Sequence, residues 1–143
     1  MKASIMVRFI FLLITSSTLF FAGCSSGSST ANPLLHDIWA LESIEGEKII
    51  IDETVKNLPV IEIYIKEERV HGNTSCNTIN SEIKVDESEI KFYVMVTTEI
   101  ACPGNLEQRF LSTLDKVTNY KIEKMRLYLF DDNNELLVFK KID

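Results

Sequence analysis

Val60-Ile61-Glu62-Ile63-Tyr64-Ile65-Lys66 alternates apolar and polar residues without a break. Successive side chains of a strand point to opposite faces, so Ile61, Ile63 and Ile65 share one face and Glu62, Tyr64 and Lys66 the other. Pro59, just ahead, suits a strand start. The surrounding sequence repeats the pattern. Trp39-Ala40-Leu41-Glu42-Ser43-Ile44 reads as a first strand, followed by a turn at Glu45-Gly46-Glu47. Lys48-Ile49-Ile50-Ile51 reads as a short edge strand. Glu67-Glu68 turns the chain into Arg69-Val70-His71-Gly72. Ser81-Glu82-Ile83-Lys84-Val85 is a further strand, and Asp86-Glu87-Ser88 turns it into residues 89–96. There Ile90, Phe92, Val94 and Val96 are expected to point one way. Near the end, residues 121–123, 126–130 and 136–140 read as strands. The last two are joined by Asp131-Asp132-Asn133-Asn134-Glu135, whose polar residues suit a hairpin loop.

One helix interrupts the strands. Leu106, Phe110, Leu114 and Val117 recur at helical spacing, with Leu111 beside them. Asn105 is a suitable N-cap, and Gln108 stands three residues later, as in a capping box. Asn119-Tyr120 ends the pattern. No alternation of strands and helices supports a parallel sheet. An antiparallel meander of this length must curl to hide its edges. The expected fold is therefore mainly β, of the α+β kind. It is a small antiparallel, partly closed β-barrel-like meander with one packed α-helix.

The N-terminus carries a different signal. Lys2 and Arg8 supply positive charge with no acid nearby, and residues 9–21 are predominantly apolar. This stretch falls short of the roughly 20 apolar residues a spanning helix needs, and its flanks suit a signal peptide. It ends in Phe21-Ala22-Gly23-Cys24, which resembles the lipobox of bacterial lipoproteins. The competing reading is an ordinary signal peptide with an incidental cysteine. Ser25-Ser26-Gly27-Ser28-Ser29-Thr30 favours the lipobox, because a Ser/Gly-rich run is the flexible coil that an anchored domain needs. The expected organisation is a leader over 1–23, a lipidated Cys24 with its tether over 24–33, and one folded domain over 34–143. The membrane is then a partner through the lipid anchor. Ser25 after the anchor predicts the periplasmic face of the outer membrane in a Gram-negative host.

Charge excludes one class of partner. The chain has a formal net charge of −6, and loss of Lys2 and Arg8 with the leader makes the remainder two units more negative. Such a surface repels phosphate backbones, so nucleic acid is not an expected partner. A basic protein would be attracted to it.

With Cys24 lipidated, Cys76 and Cys102 remain, and an exported domain with two cysteines is expected to join them. The alternatives are two buried free thiols, or a metal site that adds His71. Structural zinc wants four ligands, usually with closely spaced cysteines, and that spacing is missing. No metal or cofactor is expected. The nucleophile elbow, the zinc-protease helix motif and the phosphate-binding loop are all missing from the sequence. Carboxylates such as Glu62, Asp86 and Glu89 read as solvated faces, although a glycosidase pair is defined by geometry and not by spacing. No catalytic residue is assigned. Tyr64, Tyr93, Tyr128 and Met95 fall opposite the main apolar rows. They read as cross-strand pairs on a half-buried sheet, or as a shallow contact patch for a partner.

A family resemblance runs through these elements. His71-Gly72-Asn73-Thr74-Ser75-Cys76-Asn77 resembles the Gly-x-x-Gly-Cys-Asn signature of META (HslJ-like) domains. Thr98-Glu99-Ile100-Ala101-Cys102 resembles their Thr-x-Met-Ala-Cys. Trp39-x-Leu41 is similar to their opening, Glu107 with Phe110 and Leu114 to their helix, and Tyr120-x-Ile122 and Leu127-x-Leu129 to their closing strands. Ser75 stands where glycine is usual, Ile100 replaces Met, and Lys124 occupies a turn position that glycine often takes. The resemblance implies a β-barrel-like domain common on envelope lipoproteins and linked to stress responses, with no established enzymatic mechanism. Trp39, Gly72, Asn77, Thr98 and Ala101 are its structural motif residues, with Asn77 fixing a loop. The expected function is a non-catalytic envelope module that binds an envelope protein or plays a structural part. The alternative is an inhibitor of an envelope hydrolase; a hydrolase ranks third.

Overall fold

The computed structural model describes residues 31–143. The leader, Cys24 and all but the end of the tether lie outside the described residues. Nine strands and one helix follow in order: β1 (Ile38–Ile44), β2 (Glu47–Lys48), β3 (Val60–Tyr64), β4 (Arg69–Asn73), β5 (Thr78–Asp86), β6 (Glu89–Thr97), α1 (Leu106–Leu114), β7 (Asn119–Glu123), β8 (Arg126–Asp131) and β9 (Asn134–Lys141). A single 3-10 turn, Pro33–Leu35, precedes them.

All pairings are antiparallel between sequence neighbours, apart from β1, which also pairs with β3 and β9. The β1–β9 ladder closes the meander into a mainly β, eight-stranded antiparallel barrel, with β2 as a short flap on the far half of β1. The ring is thus complete where the sequence suggested partial closure. Its weak point is the β6–β7 seam, held by one residue pair, Glu89 with Asn119. Two backbone bonds flank that pair: Ile90 N–H donates to the Thr118 carbonyl (3.0 Å), and Tyr120 N–H to the Ser88 carbonyl (2.8 Å).

The interior is filled by the inward rows of the strands and the stripe of the helix. Trp39, Leu41, Ile61, Ile63, Ile79, Ile83, Leu127, Leu129, Leu137 and Phe139 are buried, as are Phe110 and Leu114. Phe110 meets Phe139 edge-on, with ring centroids 6.2 Å apart. Trp39 fills the core, and its indole N–H donates to the Leu35 carbonyl at 3.1 Å, which satisfies its one polar atom. The helix spans two strand turns: Arg109 pairs with Glu47 of β2, and Glu107 reaches the β4–β5 turn.

Several expectations are corrected. The edge strand expected over 48–51 shrinks to Glu47–Lys48, and Ile50 and Ile51 are exposed. The polar loop expected over 131–135 is a tight turn, since Asp131 pairs with Asn134. The inward row expected of β6 does not extend to Val96. A register shift between Asn80 and Glu82 puts an extra residue into β6. A bulge of this kind reverses the faces beyond it. Val96 is therefore exposed, and Met95 packs against the core. Asn105 stands at the N-cap but makes no side-chain capping bond, so the expected capping box does not form.

Candidate functional site

The signature residues converge at the β4–β5 turn. The chain leaves β4 at Asn73, whose side-chain oxygen accepts from Ser75 N–H (3.0 Å). Thr74 N–H donates to the Asn77 carbonyl (2.8 Å), and Asn77 N–H donates back to the Thr74 hydroxyl (3.1 Å). This closed loop forces Ser75 to φ +88°, a left-handed conformation that glycine adopts without strain. The serine adopts the backbone shape of the glycine it replaces. Lys124 likewise takes φ +50° in the β7–β8 turn.

Asn77 is buried, and its carboxamide is the hub. Its oxygen accepts from the Thr98 hydroxyl (2.7 Å) and Ile100 N–H (2.9 Å). Its nitrogen donates to the Ile100 carbonyl and to Oε2 of Glu107, both at 3.0 Å. Those two bonds use both amide protons. The 3.1 Å approach to Cys102 Sγ is then a contact. The other carboxylate oxygen of Glu107 accepts from the Thr74 hydroxyl, whose single proton goes to the charged acceptor in preference to the Asn77 carbonyl. One side chain thus fastens the turn, the loop before α1 and the first turn of the helix together.

A covalent bond runs beside this network. Cys76 and Cys102 form a disulfide, with Cα atoms 6.0 Å apart and a sequence separation of 26. In the chain-entropy description, closing a loop of this length stabilises the fold by about 3.5 kcal/mol. Free thiols and a Cys–His metal set are both excluded by this pairing. His71 lies within β4, exposed, with Nδ1 2.7 Å from Asn80 Oδ1. Among the described residues no group of three or more metal-ligating side chains forms.

Gly72 has a steric role. A Cβ there would lie 2.0 Å from the Val60 carbonyl oxygen of β3, so the β3–β4 ladder admits only glycine. Ala101 is exposed between Ile100 and Cys102, and nothing in the fold explains why alanine stands there. Thr74 belongs to this site without having stood out in the sequence. Its spacing to Asn77, Thr-x-x-Asn, is the available signal, because a threonine hydroxyl readily accepts from a backbone N–H a few residues on.

The profile of the META domain family matches residues 32–143. The chain belongs to the META domain family. Solved structures share the fold of this META domain. An NMR structure of a protein 21% identical covers 75% of the chain and 90% of its own length, with a TM-score of 0.59. An NMR structure from Burkholderia xenovorans gives 15% identity, 75% and 82% coverage, and a TM-score of 0.58. A crystal structure of a DUF4847 family protein from Bacteroides vulgatus gives 13%, 78%, 97% and 0.55. At these identities the likeness shows the fold alone. No curated protein sequence matches this META domain.

Proposed function

We propose that this META domain is a non-catalytic module of a bacterial cell envelope, carried on a lipid at Cys24, whose folded surface binds an envelope protein. The observation that carries the reading is the engagement of the polar centre. Both oxygens of Glu107 and both amide protons of Asn77 are committed to holding loops. An oxyanion donor must have a free proton at the reacting atom, and the Asn77 amide has none left. The carboxylate and amide that the family signature places together instead act on each other. The anchor reading rests on the lipobox and on the polar tether that follows it.

The test is capture from detergent-solubilised envelopes with the full-length chain, at low and at high salt. A specific complex that survives high salt supports a binding module. A basic hydrolase released by salt supports the inhibitor reading instead, since attraction to an acidic surface is screened by ions. Turnover of an envelope substrate, abolished by one carboxylate substitution, overturns the non-catalytic reading.

A further inference from the structure

The described chain enters the barrel across one mouth. Asn32 N–H donates to the Tyr120 hydroxyl (3.1 Å), which donates in turn to the Glu87 carbonyl in the β5–β6 turn (2.8 Å). From there residues 33–37 run to the end of β3. The His36 ring meets Tyr64 edge-on, and Ile63 N–H donates to the Asp37 carbonyl (3.0 Å). Leu35 is buried beneath this crossing, and Leu34 beside it is 62% exposed.

Two more apolar side chains are exposed at the same mouth. Met125, in the β7–β8 turn, is 61% exposed, and Ile142, just past β9, is 51% exposed. The two segments adjoin, since Lys141 N–H donates to the Met125 carbonyl (3.0 Å). Ile142 N–H donates to the carbonyl of Ile38 (3.2 Å), where the crossing passes into β1. Single exposed apolar residues are ordinary. Three of them stand here, at the end of the barrel from which the chain leads back to Cys24.

That lead names the occupant. Eight residues separate Cys24 from Asn32. No polypeptide spans more than about 3.6 Å per residue, so a lipid on Cys24 keeps this mouth within about 30 Å of its bilayer. At the effective concentration of so short a link, a weak contact is enough to fix an orientation. Charge fits as well. The carboxylates beside Met125 and Ile142 have ammonium partners: Asp37 and Asp143 share Lys141, and Glu123 has Lys121. Lys124, next to Met125, and Lys140, two residues before Ile142, are in no ion pair among the described residues. Lysines so placed lay their stems on apolar surface and hold their ammonium groups at the level of lipid phosphates. Glu67, Glu68 and Glu87 lie on the β3–β4 and β5–β6 turns, in the other half of the ring. An anionic membrane surface therefore favours the Met125 side.

We propose that the rim carrying Leu34, Met125 and Ile142, with Lys124 and Lys140 beside it, rests on the bilayer that holds the Cys24 anchor. The disulfide end of the barrel is then turned outward, towards partners. This rests on the lipid-anchor part of the reading above and adds the orientation of the domain.

The test uses the lipidated chain, isotope-labelled, in phosphatidylethanolamine–phosphatidylglycerol nanodiscs that contain a lipid with a nitroxide on its acyl chain. Amide relaxation at residues 34, 125 and 142 is compared with that at Ile51 and Ile100, at the other end of the barrel. The link alone gives some contrast between the ends, so the deciding comparison is with a variant carrying Leu34→Ser, Met125→Ser and Ile142→Ser. All three positions are exposed, so the variant keeps its core. The contrast should be about threefold or more larger in wild type, and Lys124→Glu with Lys140→Glu should also reduce it. Equal contrast in wild type and the serine variant overturns the proposal and leaves the anchor standing. Stronger relaxation at Ile51 and Ile100 does the same. A chain with no lipid mass on Cys24 removes the anchor and the proposal together. If the rim amides respond only when a disc holds two chains, or only when an envelope protein is added, that protein is the occupant and the proposal fails.

Discussion

The carboxamide of Asn77 and the carboxylate of Glu107 meet at 3.0 Å across thirty residues of sequence, inside the angle between the β4–β5 turn and the helix. Each is also bonded to a second loop element: Asn77 to the backbone of Ile100, and Glu107 to the hydroxyl of Thr74. Truncation at Asn77 would strand several of these groups at once. Asn77→Ala is expected to cost about 3 kcal/mol, because buried donors and a carboxylate lose their partner. Denaturant unfolding of the full-length chain measures it. Asn77→Asp should behave differently, since it sets a second carboxylate beside Glu107. Its stability should recover as pH falls into the carboxylate range, which a pH series of melting curves would reveal.

The disulfide predicts a thiol count. Non-reducing denaturation of Cys24→Ser should expose no reactive thiol before reduction and two after it. Cys76→Ala should lower stability by about 2–5 kcal/mol. Two reactive thiols before reduction would contradict the bond.

Gly72→Ala tests the close approach of β4 to β3. The added methyl would meet the Val60 carbonyl oxygen at 2.0 Å, so the ladder must part. A loss of about 1–3 kcal/mol or more is expected, in the range of overpacked cores. Ser75→Gly should do the reverse. At φ +88° the serine is strained, and glycine there should raise stability by about 1 kcal/mol. Equal melting of Ser75→Gly and wild type would mean that the turn relaxes around serine.

The barrel's closing strands carry a pH dependence. Burial alone would raise the Asp37 carboxyl, but the Lys141 ammonium and the Ile38 N–H hold it below its ordinary value. Asp37 lies ahead of β1 and Lys141 ends β9, so the pair (2.5 Å) ties the closure at its rim. A carboxyl depressed in the folded state contributes stability above its unfolded value, near pH 4, and loses it as pH falls through the folded value. Wild type should therefore lose stability more steeply than Lys141→Met below about pH 4. Parallel acid titrations by circular dichroism would sink this assignment.

Much of the fold was legible because it rests on short-range pattern. The alternation at Ile61 and Ile63 and the stripe from Leu106 to Val117 each reflect one buried face, which the sequence writes directly. Val96 and Met95 were misread because the bulge opposite Asn80 and Glu82 reverses the period, and a bulge leaves no residue signature there. The single-pair seam was illegible because it depends on where β7 begins relative to β6. Of the site, Asn77 and the cysteines stood out in the signature. Thr74 and the bonding of Glu107 did not, because their bonds join a turn to a helix more than thirty residues away.

The central claim is that this polar centre holds the loops of a binding domain together and turns nothing over. A double-mutant cycle between Asn77→Ala and Glu107→Gln, read by denaturant unfolding, tests it most directly. The predicted coupling is about 1–3 kcal/mol, with each single variant less stable than wild type. A coupling near zero, with both variants melting like wild type, would contradict the claim and leave the amide and the carboxylate free for chemistry.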